Sequence, residues 1–219
     1  MSKLKFHKES FFKSLLNIKF FVFLSNFVFQ GMRYMTKGEL SFKLAITLVL
    51  AGMLHFLIDS ILLSIFLGHS INFIINGQFF VLGRYLFSSD AISPRQLTEF
   101  VALIEYSYPK YDVKDVLIIG SFCRVQMSRT SDLDLRIWHA PGIVPSLKAY
   151  SYAFYLRFIS IFKRFPMDVY CFSDFGFLQK IRKDESPSFF NGSEKYRFEY
   201  PNARNIHTVL SENIVNWKC

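Results

Sequence analysis

The pattern of hydrophobic and polar positions changes near residue 90. Before it, apolar residues run almost without interruption over Ile18–Phe29 and Leu44–Leu67. After it, short apolar runs alternate with polar segments that contain Gly and Pro. The first pattern is typical of lipid-facing helices, and the second of a domain that mixes helices and strands. We therefore expect an apolar helical membrane-anchoring region at 1–89 and a folded domain at 90–219.

The second half of the chain predicts helices and strands in a definite order. Ser93, with Pro94 and Gln96 after it, forms a helix-capping sequence. On the second long helix we expect a buried stripe of Leu147, Tyr150, Phe154, Phe158 and Ile161. The expected elements are a helix over 93–106, strands at 116–119, 131–138 and 165–172, and helices over 146–163 and 175–182. The expected fold class is α/β (α+β), a small mixed β-sheet with helices on one side.

The segment from Gly120 to Asp134 carries the candidate chemistry. Gly120-Ser121 follows an apolar strand, and Asp132-Leu133-Asp134 comes ten residues later. Two aspartates at positions i and i+2 of a strand point to the same face, so both carboxylates can reach one metal site. Mg²⁺ takes oxygen ligands, commonly carboxylates and substrate phosphates. Gly120 permits close approach of a phosphate, and Ser121 adds a hydroxyl group at the start of an expected short helix.

In these residues the chain resembles the DNA polymerase β-like nucleotidyltransferase superfamily, within it the minimal nucleotidyltransferases. The resemblance covers about residues 90–196 and rests on a strand, Gly-Ser, a short helix and Asp-x-Asp on the next strand. Val125 stands where such proteins often have glycine. The resemblance implies an NTP substrate such as ATP, two Mg²⁺ ions (Mn²⁺ as an alternative) and a third carboxylate on a later strand. It assigns the catalytic, metal-binding role to Asp132, Asp134 and Asp168, and triphosphate binding to Gly120, Ser121 and Arg124.

The charge distribution bears on the partners. Residues 1–43 contain eight Lys or Arg residues against two Glu, whereas the rest of the chain is nearly balanced. A basic segment beside apolar stretches favours anionic lipid headgroups. Nucleic acid is not expected as a partner, because the second half lacks a basic groove with interleaved stacking aromatics.

The run Leu44–Leu67 spans 24 residues and is long enough to cross a bilayer. His55 and Asp59 would lie on one face of such a helix, where an unpartnered charge costs about 2.5–3.5 kcal/mol. They could satisfy each other or contact another helix or a ligand. Because NTP and Mg²⁺ are cytoplasmic, we expect the catalytic domain on the cytoplasmic side. Either Ile18–Phe29 forms a hairpin with this run, or the whole region lies in or on the cytoplasmic leaflet.

The first functional hypothesis is transfer of NMP from an NTP to a membrane-associated acceptor: a phosphorylated sugar, a lipid or an envelope-polysaccharide intermediate. A protein-nucleotidylylating enzyme, as in minimal nucleotidyltransferase antitoxins, is the enzymatic alternative. A non-catalytic nucleotide-binding membrane module and a structural membrane protein are the alternatives without chemistry.

Overall fold

The computed structural model describes residues 19–29, 35–76, 92–174, 185–191 and 200–217. These residues form an α+β protein with six α-helices and one five-stranded mixed sheet. The helices are α1 (Lys19–Phe29), α2 (Lys37–His55), α3 (Ile61–Ile75), α4 (Pro94–Ser107), α5 (Ile143–Lys163) and α6 (Ile206–Val215), with a 3₁₀ turn at Tyr108–Tyr111. The strands are β1 (Asp115–Ile119), β2 (Leu133–Trp138), β3 (Met167–Phe172), β4 (Ser188–Phe189) and β5 (Arg204–Asn205). The expected boundary at residues 89 and 90 lies outside the described residues.

The sheet has the strand order β3-β2-β1-β4-β5. β1 is antiparallel to both β2 and β4, whereas β2 and β3 run parallel, as do β4 and β5. β1 is buried along its whole length, which explains its continuous apolar sequence. β2 alternates between buried and half-buried residues. The mixed sheet predicted from the sequence is therefore confirmed.

The main core lies between one face of the sheet and helices α4, α5 and α6. Val116, Leu135 and Val169 point into it from the three longest strands. Phe100 of α4 stacks on Phe165, with ring centroids 4.3 Å apart. α4 begins with the predicted capping box, in which the Ser93 side chain accepts from the backbone N–H of Gln96.

Helix α5 confirms the predicted element and only part of its predicted buried face. It begins at Ile143, three residues before the expected start. Of the expected stripe, Tyr150 is buried and Phe154 and Ile161 are half-buried, whereas Leu147 and Phe158 are 47% and 40% exposed. The buried face instead contains Ala149 and Ala153, whose small side chains let the helix approach the sheet.

The prediction of one helix over Leu44–Leu67 is wrong. α2 ends at His55, and α3 begins after Ser60, whose side chain accepts from the backbone N–H of Leu63. His55 and Asp59 therefore do not share a helical face, because Asp59 lies in the connection. The two helices pack as a hairpin. Among the described residues, α2 is the one helix long and apolar enough to cross a membrane, and α3 is a shorter apolar helix.

Candidate active site

Two aspartates meet on the face of the sheet opposite the main core. Asp134 and Asp168 are in-register partners on the parallel strands β2 and β3. Directly paired residues point to the same face of a sheet with Cβ atoms close together. The register of β2 and β3 therefore agrees with the expectation that Asp134 and Asp168, distant in sequence, share one face of the sheet. Asp132 immediately precedes β2, two residues before Asp134, and is half-buried.

The Gly-Ser turn abuts the same carboxylate. Ile119, the last residue of β1, pairs with Asp134, and Gly120 follows it. Gly120 has a φ of +74°, which glycine adopts without strain. A Cβ atom at this position would overlap the carboxylate of Asp134. Gly120 is therefore needed both for the turn and for the space that Asp134 occupies.

The carboxylates of Asp134 and Asp168 are buried near other acidic groups, and the nearby positive charges compensate for this only in part. Burial raises the pKa of Asp134 to about 7, and the nearby Asp132 carboxylate adds to this effect. Burial likewise raises the pKa of Asp168. Arg136 and Arg157 offset part of the increase in the pKa of Asp168. A bound cation would relieve the remaining repulsion.

Arg136 and Tyr170 lie farther along the same face. The guanidinium carbon of Arg136 lies 4.8 Å from the centroid of the Tyr170 ring. The Tyr170 hydroxyl donates to Oδ2 of Asp168 at 3.3 Å. This contact links Tyr170 to the carboxylate that is paired with Asp134.

The short helix expected after Gly120-Ser121 is absent, because residues 120–125 form a turn. The N–H of Val125 donates to the carbonyl of Phe122, and that of Gln126 to the carbonyl of Ser121. Neither bond has the four-residue spacing of an α-helix. Val125 then adopts a φ of 55°, which ends the turn.

The expected triphosphate ligands are engaged within the chain. The Ser121 hydroxyl donates to Sδ of Met127 at 3.1 Å. Arg124 forms an ion pair with Glu185, whose side chain is only 8% exposed. Glu185 also acts on the pKa of Asp134, so it is a fourth acidic residue near the pair. The sequence contains no spacing or motif that distinguishes Glu185.

The fit of the site to Mg²⁺ rests on its donor chemistry. Among the described residues, no group of three or more His, Cys, Asp or Glu side chains forms a preassembled metal cluster. Asp132, Asp134 and Asp168 supply only oxygen donors, and Mg²⁺ commonly completes its shell with water and substrate phosphates. The donor chemistry of these residues is therefore compatible with Mg²⁺.

Sequence reasoning missed a group of charged side chains from α2 and α5. Glu39 accepts from Nη2 of Arg157 at 2.6 Å and from the backbone N–H of Cys171 at 3.1 Å. Lys43, one turn after Glu39, is 4% exposed and acts electrostatically on Asp168. Lys43 belongs to the basic segment for which lipid headgroups are expected as partners, but its burial removes it from any lipid headgroup. The signal was available, since Glu39, Lys43 and Thr47 recur every four residues in an apolar helix.

No protein-family model, curated protein or solved structure matches the chain.

Proposed function

We propose that the protein is a Mg²⁺-dependent nucleotidyltransferase that transfers NMP from an NTP to a membrane-associated acceptor. The observation that carries the proposal is the in-register pairing of Asp134 with Asp168, beside the glycine turn that ends β1. Three elements distant in sequence thus contribute to one site, as the resemblance to minimal nucleotidyltransferases implies. Val125 adds support, because it adopts a positive φ at the position where such proteins often have glycine.

Each residue of the site has a role in this proposal. Asp132, Asp134 and Asp168 would hold the cations, and the backbone at Gly120 would approach the triphosphate. When bound, Mg²⁺ would supply Lewis-acid polarisation of the phosphates and activation of the acceptor oxygen. Where the attacking group of the acceptor is a hydroxyl, the Asp168 carboxylate would take its proton. The acceptor oxygen then forms a bond to the α-phosphorus, and pyrophosphate leaves.

The roles of Ser121 and Arg124 require a rearrangement. Both side chains already have partners, Met127 and Glu185. Arg124 can bind the triphosphate only if it releases the Glu185 carboxylate and binds a phosphate group instead. Arginine recognises phosphate groups as well as carboxylates. We propose this exchange as part of nucleotide binding.

The membrane-associated acceptor is supported by the surface of α2 and α3. Leu48, Met53 and Leu62 are 63–78% exposed. Exposed apolar side chains on adjacent helices indicate a surface that contacts something other than water. A phosphorylated sugar, a lipid or an envelope-polysaccharide intermediate at the membrane would therefore be within reach.

The test is turnover of each NTP with Mg²⁺ and a membrane extract, followed by mass spectrometry of the products. Wild type should release pyrophosphate and yield an acceptor heavier by one NMP. Asp134→Asn and Asp168→Asn should lose nearly all turnover, because each removes a charged cation ligand. Asp112→Asn is the matched control, since Asp112 is 79% exposed and its positive φ suits asparagine.

Equal turnover by wild type and Asp134→Asn would refute the assignment. Mg²⁺-dependent NTP binding without any product would instead identify a non-catalytic nucleotide-binding module. A nucleotidylylated protein among the products would favour the antitoxin-like alternative.

A further inference from the structure

The α2–α3 hairpin has its polar groups inside and its apolar groups outside. Its inner seam consists of small or polar residues: Thr47, Ala51, Ser64, Gly68 and Asn72, all buried. The one large apolar residue of α3 that is buried, Phe73, packs instead against Phe23 and Phe27 of α1. Its outward sides carry large apolar residues that are 57–78% exposed: Leu48, Val49, Met53, Leu62 and Phe66. This arrangement is the reverse of a helix pair in water and matches helix packing in lipid, where small and polar residues form the interface.

The seam satisfies its own polar groups. Nδ2 of Asn72 donates to Oγ1 of Thr47 at 2.7 Å and to the carbonyl of Lys43 at 3.0 Å. Gly68 lies against the backbone of Ala51, so closely that a Cβ atom on Gly68 would stand 2.8 Å from the Ala51 nitrogen. In hydrocarbon every polar group must find a partner within the protein, and the seam meets that condition.

A single guanidinium group holds both ends of the hairpin. Nη2 of Arg157 donates to Oε1 of Glu39 near the start of α2, and Nη1 donates to Oδ1 of Asn76 at the end of α3 at 3.3 Å. The chain therefore enters and leaves the hairpin at the same place. α2 as a whole is long enough to cross a bilayer, but its first turns, as far as the buried Lys43, are held inside the domain. Twelve residues, 44–55, lie between Lys43 and the connection at Phe56, a helical length of about 20 Å. The hydrocarbon core of a bilayer is about 30 Å thick, so this remaining part of the hairpin is too short to cross it.

The start of the hairpin is held against β3, the strand that carries Asp168. Oε2 of Glu39 accepts from the backbone N–H of Cys171 in β3, and the Glu39 partner Arg157 donates to the carbonyl of Val169 in the same strand. α2 is therefore anchored on the edge strand of the sheet.

We propose that the α2–α3 hairpin is a re-entrant insertion that contacts lipid acyl chains within one leaflet and holds the sheet, with its Asp134–Asp168 pair, close to the bilayer surface. The acceptor is then a molecule whose reactive group lies at the depth of the lipid headgroups. His55, Asp59 and Ser60 at the tip are polar, and an oblique insertion keeps them away from the bilayer centre. This inference rests on the membrane association in the proposed function, and its test does not depend on catalysis.

Flotation with vesicles of phosphatidylcholine and phosphatidylglycerol tests the lipid contact. Wild type should float with the vesicles, whereas the double variant Leu48→Glu/Leu62→Glu should lose at least about tenfold in vesicle-bound fraction. Val215→Glu is the matched control, because Val215 on α6 is 83% exposed and far in sequence from the hairpin. Circular dichroism of each variant in detergent checks the fold. Equal flotation of the double variant and the control would overturn the proposal.

A cysteine at the tip tests the topology. Leu57 is 83% exposed in the connection, and Leu57→Cys in vesicles should resist a membrane-impermeant maleimide from both sides, with wild type as the labelling blank. Labelling from the protein side would place the tip in water, and labelling from the far side would show a crossing. Either result overturns the proposal. The proposal is also overturned if the protein forms a stable dimer in lipid-free buffer, if that dimer protects the same cysteine from labelling, and if it does not float with vesicles.

The carboxylate variants separate this inference from the catalytic one. Asp134→Asn should float like wild type, and Leu48→Glu/Leu62→Glu in detergent should keep Mg²⁺-dependent nucleotide binding. Loss of flotation in Asp134→Asn would contradict the claim that the hairpin binds the membrane independently of the carboxylate site. Loss of turnover in Asp134→Asn with normal flotation supports the assignment of both.

Discussion

The ion pair between Glu39 and Arg157 is the contact whose removal has the most predictable cost. Its side chains are 1% and 5% exposed, and the N–O distance is 2.6 Å. Removing one partner leaves the other charge buried, which costs about 3–5 kcal/mol of unfolding free energy. Arg157→Met and Glu39→Leu should each show a loss of that size.

The double variant should cost far less than the sum of the two single variants. With both charges gone, the remaining losses are the hydrogen bonds to the carbonyl of Val169, the N–H of Cys171 and Oδ1 of Asn76. An unsatisfied buried group costs about 1–3 kcal/mol, and with each of these near the lower value we expect a total of about 3–5 kcal/mol for the double variant. The coupling energy of the pair is then several kcal/mol.

Urea denaturation in mild detergent, followed by tryptophan fluorescence, measures the three variants against wild type. The Arg95–Glu99 pair on α4 provides the control cycle, because its side chains are 88% and 47% exposed and should show little coupling. Single losses that simply add in the Glu39→Leu/Arg157→Met protein would refute the assignment of a buried, mutually dependent pair.

Three further predictions concern the hairpin and the site. Gly68→Ala should destabilise the protein by about 1–3 kcal/mol in thermal unfolding, because the added methyl group meets backbone atoms of α2, whereas Gly52→Ala, with open space around it, should be neutral or slightly stabilising. For Asp134, the raised pKa of about 7 means that the folded state binds its proton more tightly than the unfolded state. The stability of the Mg²⁺-free protein should therefore fall as pH rises from about 4 to about 7, and Asp134→Asn should reduce that fall in a pH series of unfolding curves. Gly120→Ala should weaken Mg²⁺-dependent NTP binding in calorimetry, since its Cβ atom would displace the Asp134 carboxylate, and unchanged affinity would contradict this.

Much of the domain that follows residue 90 was predictable, because its signals are local. The capping sequence at Ser93 fixed the start of α4, and the apolar runs located β1 and β3. The pairing of Asp134 with Asp168 depends on the register of two strands that are separated by a helix in the sequence, and the sequence does not give that register. A common face for the carboxylates could still be expected, because side chains alternate along a strand. The identity of the fold beyond a mixed α+β sheet stays a prediction.

The errors have physical causes that no local pattern reports. The apolar run at 44–67 bends at Asp59 and Ser60 because Ser60 caps a new helix, which composition alone does not show. The inward face of α5 includes Arg157, a charged residue that is buried because it pairs with Glu39, 118 positions away in the chain. Arg124 was assigned to a phosphate because its partner Glu185 has no recognisable motif around it. The expected helix at Phe175–Arg182 lies outside the described residues.

The contact of Glu39 with the N–H of Cys171 has a consequence for self-association. Among the described strands, β3 forms one margin of the sheet, and its outward N–H at Cys171 and carbonyl at Val169 are already bonded to side chains of α2 and α5. At the other margin, β5 is only two residues long. A sheet with unprotected margins can recruit strands from other molecules and grow into aggregates. Among the described residues, the bonded groups of β3 and the shortness of β5 leave little backbone for such pairing, which should disfavour polymerisation of this phenylalanine-rich chain through its sheet.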